Sequence, residues 1–333
     1  MVWTHEPQKP FLLRIMSPKG SKMAPELLSL LDKFEETLET RIRDLIPTTG
    51  KDSFGLSWMS SAIETLCGIH SDILNFITAI DLPVPNWDDK WIDVYLENSV
   101  KLLDICNAFS SEISHLKQGN LFLQCALHNL NGAATENQLS RACSSLEQWK
   151  HHVSKKNPRL NNCFYVIDHL IRVLDQPKVK NSTKGKILMR AMYGAKVVTL
   201  SICSTFAAAF SGSSAKLMDL QVSETYLWAG TFAEFLTSAN MEMRKRGSAG
   251  VLREVEAVDS SIENLTNSRG PTSISAELRE TSEKLSEELY LVGEGVDRFF
   301  RVVLNGRDIL LSNMKVGDGF KAVNKMGRSP MVR

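Results

Sequence analysis

From Leu285 onward the apolar residues fall at Leu289, Val292, Val296, Phe299 and Val303, a spacing of 4, 3, 4, 3, 4. That is the a/d rhythm of a helix that lays one stripe against other helices. A strand would alternate every second residue, and this segment does not. The predicted helix spans about 275–314, roughly 60 Å at 1.5 Å per residue. Such a seam can be satisfied within one chain or between chains, so the oligomeric state stays open.

The same rhythm recurs upstream. Leu27, Leu31, Phe34, Leu38, Ile42 and Leu45 trace a first stripe that Pro47 ends. Trp58, Leu66, Ile69, Ile73, Ile77 and Ile80 form a second, closed near Pro83 and Pro85. Asn86 reads as an N-cap, with Asp88 and Asp89 in the first turn of a third helix. That helix carries Trp91, Tyr95, Leu102, Ile105, Phe109, Ile113 and Leu116, and Gly119-Asn120 is expected to kink or divide it. Further helices are predicted over 136–153, 162–174, 184–210, 223–244 and 251–265, with Gly and Pro in the breaks. No stretch alternates as a strand should. The fold class is all-α: an elongated multi-helix bundle with a long C-terminal helix and disordered termini.

The expected organisation is a flexible basic arm over 1–23, one helical domain over 24–315 and a disordered basic tail over 316–333. The arm carries Lys9, Arg14, Lys19 and Lys22 against Glu6. Arg14 and Ser17-Pro18 interrupt its apolar residues too soon for a secretory leader, whereas a plastid transit peptide is an alternative. Six cysteines stand far apart with no CxxC, and most sit inside apolar helical pattern, which reads as buried thiols in a reducing compartment. A net charge of +1 argues against a general nucleic-acid binder. Any electrostatic targeting must come from local clusters.

Motifs for chemistry are incomplete. Asp89 and Asp93 share a helical face, as the magnesium-binding aspartates of helical isoprenoid synthases do, but DDxxD spacing would need an acid at Ile92. Glu112 and His115 form a single ExxH, where a di-iron bundle needs two and two more glutamates. His151 and His152 diverge by about 100° on a helix, which makes them a poor ligand pair. There is no GxSxG elbow, Walker loop or GxGxxG. No catalytic residue, metal or cofactor is assigned.

The chemically oddest stretch is basic and then apolar. Lys178, Lys180, Lys184, Lys186, Arg190 and Lys196 have no acid among them, and Val197 to Phe210 follows without a charge. Cations at a helix start oppose its dipole, so the cluster is expected to do more than stabilise. The six are the candidate docking surface, for a protein partner or for peripheral contact with anionic membrane. The apolar run reads as a core helix, with a membrane span as the alternative. The aromatic-rich stretch Tyr226-Leu227-Trp228, with Phe232 and Phe235, reads as core.

Several long segments carry a resemblance. Residues 57–59, 82–96 (LPVPNWDDKWIDVYL), 99–112 (SVKLLDICNAFSSE), 178–194 (KVKNSTKGKILMRAMYG), 206–214 (FAAAFSGSS) and 305–311 (NGRDILL) resemble the plant BYPASS family, over about residues 25–315. The resemblance implies a non-enzymatic regulator of root and shoot development. The founding type prevents roots from constitutively making a mobile, carotenoid-derived signal that arrests shoot growth. Distant plant relatives are associated with the exocyst, so a membrane-associated trafficking adaptor is the alternative. An enzyme acting on an isoprenoid or apocarotenoid is the second. The expected location is cytoplasmic, with membrane association; the chloroplast and a single-pass membrane protein are alternatives.

Overall fold

The computed structural model describes residues 25–47, 54–80, 90–131, 135–174, 182–213, 217–246, 252–267 and 271–326. Their order is α1 (Pro25–Asp44), α2 (Leu56–Ala79), α3 (Lys90–Asn129), α4 (Glu136–Ser154), α5 (Pro158–Arg172), α6 (Thr183–Ser211), α7 (Ala229–Arg246), α8 (Arg253–Asn267) and α9 (Pro271–Met326). No strand occurs among the described residues. The chain is an all-α bundle with a long C-terminal helix.

The C-terminal stripe is satisfied within the chain. Leu285, Leu289, Val292, Val296, Phe299 and Val303 are all buried, and α9 packs on α2, α3 and α8. Each such side chain contributes roughly 1.5–3 kcal/mol by leaving water. The backbone of α9 stays helical to Met326, beyond the expected end near residue 314. The arm over 1–23 and residues 327–333 lie outside the described residues.

α6 occupies the centre, in contact with α1, α2, α3, α5 and α7. Every residue from Val197 to Ala209 is buried, as a helix apolar on all sides requires. Its hydroxyls are satisfied inside the core. Ser201 and Thr205 bond back to the carbonyls of Val198 and Ser201, both at 2.9 Å, and Ser204 Oγ accepts from Met218 N at 3.0 Å. Ser182 caps its start by accepting from Gly185 N at 3.1 Å, and Gly212, at φ 62°, ends it in the left-handed region. Above α6 lies an aromatic cluster in which Trp58 meets Phe54, Phe206 and Phe235 at centroid distances of 4.7, 5.8 and 6.4 Å. Trp58 Nε1 donates to Leu45 O at 3.0 Å, tying α2 to the end of α1.

Two expectations need correction. Gly119-Asn120 does not divide α3, which is one helix through both residues. The glycine lets α4 approach, since a Cβ there would meet the Trp149 ring at 3.0 Å and His152 at 3.2 Å. Asn120 is buried and accepts from Ser282 Oγ at 2.9 Å, linking α3 to α9. The second correction is at α7, which begins at Ala229 rather than near Ser223. Arg190 of α6 and Glu35 of α1 take up Thr225 O and Leu227 N, so Trp228 enters the core from a turn, while Leu227, expected in the core, is exposed.

Candidate functional site

The basic residues of α6 have separate fates. Lys178 and Lys180 lie outside the described residues. Lys184 is half-buried and Lys186 exposed on the first turns. Arg190 turns inward: it pairs through Nε with Glu35 Oε1 and donates from Nη2 to Glu35 Oε2 at 2.9 Å and to Thr225 O at 2.8 Å. Its guanidinium carbon lies 4.5 Å from the centre of the Tyr226 ring. Glu35, on α1, also accepts from Leu227 N at 3.1 Å. Arg190 therefore joins α1, α6 and the turn before α7. It offers little to a partner, with its side chain only 15% exposed.

Lys196 lies two turns on, beside the apolar run. Its Nζ donates to Val173 O at 3.1 Å, at the C-terminal end of α5, where a cation complements the helix dipole. The described cations of the expected docking surface thus divide into Lys184 and Lys186 outside, Arg190 in a core ion pair and Lys196 at a cleft.

That cleft has a volume of about 90 Å³ and lies between α2, α3, α5 and α6. Its walls include His70, Trp91, Leu102, Leu170, Met189 and Lys196. His70 Nε2 lies 3.2 Å from Thr199 Oγ1, and its ring meets Phe299 edge-on at 5.1 Å. Burial pushes the His70 imidazole down to about 4, so it is neutral at physiological pH. Burial, aided by the nearby Lys101 charge, lowers the Lys196 amine to about 8, against an opposing pull from Glu97. Burial raises the Tyr95 phenol to about 12, with Arg307 opposing. An apolar cavity with a few convergent polar groups has the character of a small-molecule site. Sequence reasoning passed over His70 because it lies inside the apolar stripe of α2, between Ile69 and Ile73. That position was itself a signal, since an imidazole on a core face needs a partner.

The apolar run itself is committed to the bundle. α6 is long and apolar enough to cross a membrane by length and composition, but 83% of its most apolar window is buried by other helices. A bilayer could take this helix only after the bundle opened.

The other candidate motifs are not assembled. Asp89 lies outside the described residues, and Asp93 is exposed on α3. Glu112 is buried, and desolvation raises its carboxyl while Asn157 and His152 oppose. His115 turns to stack on His152 of α4, whereas His151 is exposed. No group of three His, Cys, Asp or Glu that could hold a metal ion exists among the described residues. The six cysteines are free thiols; Cys67, Cys106, Cys163 and Cys203 are buried and Cys125 and Cys143 exposed, in keeping with an expectation made for most of the set.

Residues 63–313, from α2 into α9 and including the whole cleft, match the family described as Protein BPS1. The chain is 47% identical over 308 residues to "Protein BPS1, chloroplastic" of Arabidopsis thaliana, covering 90% of this chain and 88% of the relative. It is 43% identical over 258 residues to UPF0496 protein 4 of Oryza sativa subsp. indica, covering 76% of this chain and 57% of that protein. A more distant similarity, 25% over 144 residues, links it to Protein ROH1D of Arabidopsis thaliana, with 39% and 34% of the two chains covered. No solved structure matches the chain. The extent and identity of these matches, which bear out the resemblance carried by its motifs, show that the chain belongs to the BPS1, or BYPASS, family.

Proposed function

We propose that this protein is a non-enzymatic regulator of root and shoot development in plants that acts through protein partners. In this reading it keeps roots from constitutively making a mobile, carotenoid-related signal that arrests shoot growth. The carrying observation is the 47% identity to the Arabidopsis relative, sustained over 308 residues. A test is expression of the chain in the roots alone of a plant lacking its own BPS1-family proteins. Restored shoot growth is the expected result; persistent arrest with normal accumulation of the protein overturns the reading. The docking surface on this reading centres on Lys184 and Lys186, together with Lys178 and Lys180 just upstream in the sequence. Substituting all four by Glu should abolish rescue without changing the melting temperature.

A trafficking adaptor held at the membrane surface is the second reading, favoured by the absence of acidic residues from the first turn of α6. Such contact is electrostatic and is released by salt. Retention on membranes through a high-salt wash would exclude this form of attachment. For location, the cytoplasm competes with the chloroplast, which the printed name of the Arabidopsis relative and the basic character of residues 1–23 both favour. Import into isolated chloroplasts with shortening of the N-terminus would establish the latter, and full-length protein left outside them the former.

A further inference from the structure

The cleft beside Lys196 has a feature that the developmental reading does not use. Its lining is apolar on three sides, from Trp91 and Leu102 on α3, Leu170 on α5 and Met189 on α6, and no carboxylate lines it among the described residues. Lys196 is its one lining lysine. An ammonium has three N–H donors, and one of those of Lys196 is directed at Val173 O. The nearby Lys101 is paired with Glu97 at 2.6 Å, and Arg307 of α9 donates to Ser99 Oγ at 2.8 Å on the α3 wall, so Lys196 is the one cation on the lining itself. Thr199 and the neutral His70 supply further polar contact on the inner wall. Met189 and Met192 line the same cavity, and flexible thioether side chains can repack around a guest.

We propose that this cleft binds a small apolar monocarboxylate, with its hydrocarbon part among Leu102, Leu170 and Met189 and its carboxylate on Lys196 Nζ. A single cation on the lining suits a monoanion better than a phosphate, whose second charge would have no counterpart among the lining residues. The cavity of about 90 Å³ suits a short acyl chain or small ring rather than a long lipid tail. The proposal stands independently of the developmental function.

The test is titration of the full chain with hexanoate and with hexanamide, its neutral counterpart, followed by ligand-observed NMR. Hexanoate should bind one-to-one at pH 7, at least tenfold more tightly than hexanamide. Lys196→Met should remove that preference while the hexanamide affinity is retained. Because Lys196 also caps α5, a pH series on the natural chain provides a second measurement. The hexanoate affinity should fall at least tenfold between pH 7 and 10 as the Lys196 amine, lowered to about 8, loses its proton. Hexanamide should bind equally across that range.

Other titratable or charged groups around the cleft are Lys101, Glu97 and Tyr95 on α3, His169 on α5, His70 on α2, Tyr193 on α6 and Arg307 on α9. The Tyr95 phenol, raised to about 12, stays protonated to pH 10. The carboxylate is ionised throughout the range, and His70 is already neutral, so neither would produce the fall. Lys101→Glu replaces a repelling charge near the amine with an attracting one, so the fall in hexanoate affinity should persist but move to higher pH. Equal affinity for acid and amide would overturn the proposal, as would no binding of hexanoate or an affinity unchanged to pH 10.

Discussion

The imidazoles of His115 and His152 stack with centroids 4.1 Å apart, and each Nε2 donates to the other residue's backbone carbonyl, at 3.1 and 2.9 Å. Because both acceptors are carbonyl oxygens, both rings carry a proton on Nε2. The pair is a reciprocal clasp between α3 and α4, placed where Gly119 lets the two helices approach.

Breaking either half of that clasp removes a side-chain hydrogen bond between the helices and leaves a ring without its neighbour. His115→Ala and His152→Ala should each lower stability by about 0.5–1.5 kcal/mol. The double variant should lose less than the sum, with a coupling of about 0.5–3 kcal/mol. Urea unfolding of the four proteins measures this, and strict additivity would show that the rings act separately.

Arg190 and Lys186 stand one helical turn apart and should behave as opposites. Arg190→Glu places a carboxylate against Glu35 in a pair whose side chains are 15% and 5% exposed, and should cost about 3–5 kcal/mol. Lys186→Glu alters an exposed position and should stay within about 0.5 kcal/mol of the natural protein. Thermal melts distinguish them. Charge reversal including Arg190 therefore tests folding as well as docking.

His70 gives a pH dependence with a definite sign. Its folded pKa, about 4, lies below the unfolded value near 6.5. Its contribution is complete above pH 6.5 and is lost as pH falls towards 4, because the unfolded chain takes up the proton first. Glu112 and Asp259 act in the opposite direction, since burial raises both carboxyls. The difference between the natural protein and His70→Phe isolates the histidine: it should shrink as pH falls from 7 to 4. A constant difference would mean that His70 titrates alike in both states.

Thiol reactivity should follow burial. Cys125 and Cys143 are exposed, whereas burial raises the Cys67 thiol to about 11 and Cys163 to about 12, and also raises Cys106 and Cys203. A thiol-specific reagent at pH 8 should modify Cys125 and Cys143 rapidly and the other four only on unfolding. Rapid labelling of Cys203 in the native protein would mean that the centre of α6 opens.

The local features of this fold were legible in the sequence because they depend on period and terminal chemistry. The stripe from Leu285 to Val303, the buried run from Val197 to Ala209 and the core aromatics Trp228, Phe232 and Phe235 all followed from helical spacing. Family membership was legible too, from long matching segments such as LPVPNWDDKWIDVYL. Charge alone misled at Arg190, whose partner Glu35 lies 155 positions away, and at Lys196, whose surroundings come from α5 and α6 together.

What the sequence determined by itself is the all-α class, the interior faces of its helices and its family, since each is written in neighbouring residues. What only the tertiary structure decided is which polar side chains meet: Arg190 with Glu35, His115 with His152, and His70 with Thr199 beside the Lys196 cleft. Those partners stand at long range along the chain, and only the packing of helices around α6 sets which of them come within hydrogen-bonding distance.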